Sequence, residues 1–383
     1  MKSIDYIKEY SQKMKEIQEL ILNFLDNDDD QEAQYNNLIK LINDQKIPSD
    51  KQGLRTILHL ISKICDNYHR SKHFFNKIEK VIKNYQNEIK NNFSNYEIFN
   101  IFKNNKRILL FLFEEKIVIP DKSLSWIISH GKFYDQKYPQ YFYTEFKSFY
   151  DESLIKEITS STTEIQNDDF ETFEINRKSG ENDNYICKLI QKDLVEKFVS
   201  FYTRTNFSLS STIEPSIYET NAFLIDKKPS LIEYSAFFGS IQIFKFLFLN
   251  NVELTSSLWL YVIHGQCLDL IHFLEENHIR PQNETCNQCF DESIICHQVD
   301  IMNYIKNNFY EKEGENVFDL FCQSLRFYNF VDFCNNEYSF DDSLTFEMFY
   351  QLCKFDYVSL VDLLLKNKKI KLNERKVFKF CMF

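Results

Sequence analysis

From Ile4 to about Ile119, apolar residues recur three and four positions apart. Ile17, Leu20, Ile21 and Phe24 form one stripe, and Leu54, Ile57, Leu58 and Ile61 with Ile64 form another. A three-to-four spacing gathers side chains on one face of a 3.6-residue period, so the pattern predicts amphipathic helices. Polar breaks fall between the stripes. "DNDDDQE" follows Leu25, and "IPSDKQG" surrounds Pro48 and Gly53, where Ser49 or Asp50 is placed to cap the next helix. Five or six helices are expected, the last pair in "FSNYEIFNIFKNNKRILLFLFEEKIVIP" stopped by Pro120. Between Asp151 and Asp183 the apolar period is lost in "TSSTTEIQNDDFETFE" and "RKSGENDN", a composition that predicts a polar linker or long loop. The helical pattern resumes at Tyr185.

A second periodicity starts at Pro229. Shifted by 27 residues, "SLIEYSAFFGSIQIFKFL" falls on "SLWLYVIHGQCLDLIHFL": Ser230 on Ser257, Leu231 on Leu258, Tyr234 on Tyr261, Ile243 on Leu270, and Phe246-Leu247 on Phe273-Leu274. Gly265 comes one residue earlier than Gly239 would place it, which reads as a shifted turn. The second-helix pattern recurs in "DIMNYI", "NFVDFC" and "SLVDLL", so its anchors Ile243, Leu270, Ile301, Phe330 and Leu360 are 27, 31, 29 and 30 residues apart. Such a period predicts a helix, a tight turn, a second helix and a loop, repeated. One such pair is too small to bury its own apolar face. Burying Ile243, Phe244, Phe246 and Leu247 stabilises by roughly 1.5 to 3 kcal/mol each, less than the entropy lost in ordering the pair, so copies must stack.

These residues resemble the ankyrin repeat. Ser230 stands for its Thr, Ile232 for its Leu, Ser235 and Ala236 for its small pair, and Gly239 for its turn glycine. Ile243 and Phe244 stand for Ile-Val, Phe246 and Leu247 for Leu-Leu, and Asn251, Val252 and Glu253 for Gly-Ala-Asp. Leu231 and Glu233 depart from the family's Pro and His, and Val262 with Ile263 replaces the next small pair. The fuller match, together with "NYEIFNIFKNNKRILLFLFEEKI", resembles a large ankyrin-protein family of trichomonad protists that carries an N-terminal helical domain of unknown function. The resemblance implies an all-α chain. Residues 1–150 would form the N-terminal helical domain, 151–184 a polar acidic linker, and 185–383 an ankyrin-repeat solenoid of helix pairs, clearest from residue 229. It also implies a protein–protein interaction scaffold without catalytic activity. Such scaffolds bind through finger loops and the concave face of the first helices, here placed at Phe237, Phe238, Glu253, His264 and Gln266; in a chain with 38 Phe, packing against an adjacent repeat or the N-terminal domain is the competing and preferred reading for Phe237, Phe238 and His264.

Composition narrows the picture. The 383 residues contain 6 Gly and 6 Pro, too few for many tight turns between strands, so helices are favoured. A net charge of -11 argues against broad nucleic-acid binding, which needs a cationic surface. The basic run Lys366, Lys368, Lys369, Lys371, Arg375, Lys376 and Lys379 reads as the solvated face of a final helix. Ten cysteines behind a start without an apolar core, "MKSIDYIKEY", predict reduced thiols in a cytoplasmic protein. No apolar run is long enough for membrane insertion.

Candidate chemistry is sparse. "CNQCFDESIICH" offers Cys286, Cys289, Cys296 and His297 as potential zinc ligands, but Ile294 to Cys296 continue a helix, so buried thiols are expected and no metal or other cofactor. His59, His69 and His73 with Cys65 are the nearest approach to a nucleophile and base. No phosphate loop or hydrolase motif accompanies them. The reading is of a non-enzymatic scaffold with an unidentified protein partner, no nucleic acid and no small-molecule substrate. A cytosolic enzyme or small zinc-binding module is the alternative.

Overall fold

A computed structural model describes residues 2–131, 137–281, 283–309, 317–331 and 345–366. Among these residues there are 24 α-helices, a 3-10 helix over Ile47–Ser49 and no strand, so the chain is all-α. Thr212 and Ser230 form an isolated antiparallel bridge. Of the C-terminal basic run, everything beyond Lys366 lies outside the described residues, as do Asp332 to Cys334 of "NFVDFC". None of the described helices is long and apolar enough to cross a membrane. The chain divides into two compact units, one of Met1–Leu60 with Lys312–Phe383 and the other of Ile61–Glu311. The expected boundaries at 150 and 184 both fall inside the second.

In the first unit, helices Lys2–Asp26 and Gln31–Asp44 pack through Ile17, Ile21, Phe24, Leu38 and Ile42, joined by a turn whose Asp30 is left-handed. Asp50 caps the helix Lys51–Asn67 by accepting from the backbone N–H groups of Gln52 (3.1 Å) and Gly53 (3.0 Å). These N-terminal helices meet residues 329, 330 and 356. Buried Gln18 accepts from the Phe330 N–H at 2.6 Å and donates to Asn329 Oδ1 at 3.1 Å. Arg55 and His59 both meet Asp356 Oδ2, at 2.8 and 3.0 Å.

The second unit is built around helix Lys106–Glu114, whose run Ile108–Phe113 is buried on every side. A helix apolar all round belongs in an interior. Its two cations reach backbone carbonyls: Lys106 Nζ donates to Ile217 O at 2.7 Å and Arg107 Nε to Lys178 O at 2.7 Å. Residues 151–184, expected as a polar linker or loop, hold helices Glu152–Ser161, Thr163–Gln166 and Phe170–Ser179. The anchor there is a charge. Arg177, almost wholly buried, takes Glu145 in a bidentate pair at 2.7 and 3.1 Å and also binds Glu174. A fork of this kind satisfies a buried guanidinium that no hydrophobic period would reveal.

From Tyr185 the second unit continues as four helix pairs: Tyr185–Gln191 with Val195–Thr205, Leu231–Phe237 with Ile241–Leu249, Leu258–Gly265 with Leu268–Glu276, and Asn283–Ile295 with Val299–Asn308. First helices pack on first helices in chain order. Ser230 and Glu233 make a full capping box at the start of Leu231–Phe237, which explains why Glu stands there: its carboxylate accepts from the Ser230 N–H at 2.8 Å.

Candidate functional site

The turn between paired helices has a recurring geometry. In each of the four pairs one residue takes the left-handed conformation, Asp193, Gly239, Gln266 and His297; in the first unit Tyr328, after helix Val317–Phe327, and Asp356, between helices Thr345–Lys354 and Val358–Lys366, do the same. Each donates its N–H to the carbonyl three residues back, at 2.8 to 3.3 Å (Asp193 to Ile190, Gly239 to Ala236, Gln266 to Ile263, His297 to Ile294, Tyr328 to Leu325, Asp356 to Cys353). In five turns the next N–H reaches five residues back, as from Ser240 to Ser235 O at 2.9 Å and from Gln298 to Ser293 O at 2.8 Å. That is the Schellman closure of a helix end. Gly239 is therefore the turn residue, as its position predicts, while Gly265 is not. Gln266 occupies the equivalent turn position, and Gly265 closes its helix where an added Cβ would lie 2.5 Å from Ala236 O. The apparent one-residue shift is a close helix approach beside a turn in perfect register.

Adjacent turns also brace one another. Asp193 Oδ2 accepts from the Gln242 N–H and Oδ1 from the Ile243 N–H, both at 3.0 Å, so one pair's turn caps the next pair's second helix.

The five residues expected to meet a partner separate by burial. Phe237 is buried, in ring contact with Phe223, Phe238 and His264, and His264 is fully enclosed. Phe238 and Gln266 are half-buried on neighbouring turns, and Glu253 is exposed on the loop after Ile241–Leu249. Sequence reasoning missed Trp126, which is 65% exposed and stacks on His130. A lone Trp in an amphipathic helix carries no sign of which face it takes.

His264 has chemistry of its own. Its Nε2 lies 3.0 Å from Glu292 Oε2, and the Cys296 Sγ lies 3.2 Å from its Nδ1 and 3.6 Å from Nε2. Phe223 stacks on the ring at 4.0 Å. Burial pushes the Glu292 carboxyl up, but the His264 hydrogen bond and charge, with the Lys227 charge, outweigh it and hold the group below the usual range. Burial, with the Glu292 charge adding, pushes the Cys296 thiol far up. A nucleophilic thiolate is favoured by the opposite shift and an open approach, whereas Cys296 is fully buried. The zinc set read from the sequence is not what assembles: within 4.8 Å of one another are His264, Glu292 and Cys296, while His297 is a turn residue and Cys286 and Cys289 lie buried along the helix. Of the other suspected group, Cys65 is buried with its thiol pushed far up by burial first, His59 faces Asp356, burial first pushes His69 down to about 4, and His73 takes a left-handed conformation before helix Phe74–Asn84.

No family model matches the chain, and no curated protein or solved structure shows significant similarity to it.

Proposed function

We propose that this chain is a non-enzymatic helical-repeat scaffold of ankyrin type that binds a protein partner along its first helices, between the turn residues Phe238 and Gln266 and the loop residue Glu253. What supports it most is the recurrence of one closed turn through successive helix pairs, with first helices side by side. Stacked repeats present a continuous surface whose exposed positions are free to vary for recognition. Phe238 supplies an aromatic anchor, half-buried against Tyr234 at 4.8 Å, and Gln266 and Glu253 supply a polar rim. The net charge of -11 suits a partner with a basic rim better than a phosphate backbone.

The test is co-isolation from the native cell with tagged wild type and with the combined variant Phe238→Ala, Glu253→Lys, Gln266→Lys. One protein enriched by wild type and lost by the variant, at unchanged helical circular dichroism, is expected. Equal enrichment by both, or none by wild type, contradicts the reading.

A further inference from the structure

The cluster at His264 has a property that partner binding leaves unexplained: it brings one nitrogen, one oxygen and one sulfur donor together inside the repeat stack. We propose that His264, Glu292 and Cys296 form a zinc site that clamps helix Leu258–Gly265 to the following pair.

The geometry centres on His264 Nε2, which is 3.0 Å from Glu292 Oε2 and 3.6 Å from Cys296 Sγ. Around tetrahedral zinc, with bonds of about 2.0 to 2.1 Å to nitrogen and oxygen and about 2.3 Å to sulfur, neighbouring donors stand roughly 3.3 to 3.6 Å apart. The Cys296 Sγ lies beside the ring, 3.2 Å from Nδ1 as well as 3.6 Å from Nε2, so an ion held on Nε2 with Glu292 requires the Cys296 side chain to turn toward that nitrogen, within a set of donors that all lie within 4.8 Å of one another. The backbone explains why the donors converge. Glu292 and Cys296 are four residues apart, and the Cys296 N–H donates to Glu292 O at 2.8 Å, so both side chains leave one face at the helix end. His264 comes from the last turn of the adjacent first helix, its ring held by Phe223 and Phe237.

Charge and donor type favour the same ion. A thiolate and a carboxylate together neutralise zinc's two charges, and the mixed sulfur, imidazole and carboxylate set suits zinc rather than calcium or magnesium. Metal binding deprotonates a coordinating thiol outright, which supplies a reason for a cysteine to face a carboxylate in an interior. Glu292 retains 22% side-chain exposure, so water has a route to a fourth position at that edge. The ion would bridge consecutive pairs and thus act structurally, with no role in partner contact required.

The experiment uses the full chain, stripped of metal and titrated with cobalt(II), alongside zinc analysis of the protein as purified. One zinc per chain and a sulfur-to-cobalt charge-transfer band that zinc bleaches are expected. The band should vanish in Cys296→Ser, persist in Cys286→Ser, and need at least tenfold more cobalt in Glu292→Gln, a half-exposed site whose change is compatible with folding. No band and no zinc in wild type overturns the site. So does a band that survives Cys296→Ser, or one that Glu292→Gln leaves at wild-type affinity.

Discussion

Gly239 and Gly265 look alike in the sequence and do different physical work. Gly239 sits at φ +63°, and a Cβ there would meet Cys267 Cβ at an ordinary 3.5 Å, so its constraint is backbone conformation alone. Gly265 has no such backbone demand, but its Cβ would strike the Ala236 and Phe237 carbonyl oxygens at 2.5 and 2.9 Å. Gly239→Ala should therefore cost about 1 kcal/mol, and Gly265→Ala about 2 to 3 kcal/mol, because two helices must separate. Urea unfolding midpoints rank the two, and equal or reversed costs would contradict this division of labour. Glu181 supplies a pH signature at the same scale. Burial pushes its carboxyl up to about 7 from an ordinary 4.5, with the Glu219 charge adding and Arg70 and Lys192 opposing. Between those values the folded chain keeps a proton that the unfolded chain releases, so this group's effect is that stability falls as pH rises through the window and levels off above it. Glu181→Gln should flatten the fall by roughly 1 to 3 kcal/mol between about pH 5 and 7.5. Asp66, raised to about 6 by burial first, contributes with the same sign in both proteins, so identical profiles for wild type and variant would contradict the assignment.

At the scale of elements, the turn between helices is what repeats, and it repeats as a hydrogen-bond pattern rather than as a residue. Asp, Gly, Gln, His, Tyr and Asp occupy the six left-handed positions. Only Gly makes that conformation cheap, so the other five are held by the bonds around them. The sequence showed five second-helix anchors from Ile243 onward yet hid the first pair, Tyr185–Gln191 with Val195–Thr205, and the missing glycine is not the reason, since four of the five later turns lack one too. What sets the first pair apart is spacing: 46 residues separate Asp193 from Gly239 where later turns are 27 to 31 apart. Asp193 also caps helix Ile241–Leu249 with both carboxylate oxygens. Asp193→Ala should cost about 1 to 2 kcal/mol while Asp193→Asn costs less, as thermal or urea unfolding would register. A neutral Asp193→Ala would show that the cap carries no weight.

For the molecule as a whole, apolar periodicity made the helical class legible, and the polar break offered Ser49 or Asp50 as a cap, of which Asp50 fills the place, because helices declare themselves within a few residues. What it could not show depends on distant partners. Arg177 with Glu145 orders a stretch that reads as polar loop, and Gln18 and Asp356 tie the N-terminal helices to residues some three hundred positions away. The site divided in the same way. Gly239 announced the turn, but the burial of Phe237 and His264 arises from Phe223, which lies in a segment with no helical pattern, and His264 meets Glu292 and Cys296 from the next pair. Under the proposed function the first-helix surface is the place of recognition. The most direct measurement is a binding titration of the co-isolated partner against wild type, Phe238→Ala and Trp126→Ala. The proposal predicts at least tenfold weaker binding for Phe238→Ala and unchanged binding for Trp126→Ala; wild-type affinity in Phe238→Ala with loss in Trp126→Ala would place recognition elsewhere and contradict it.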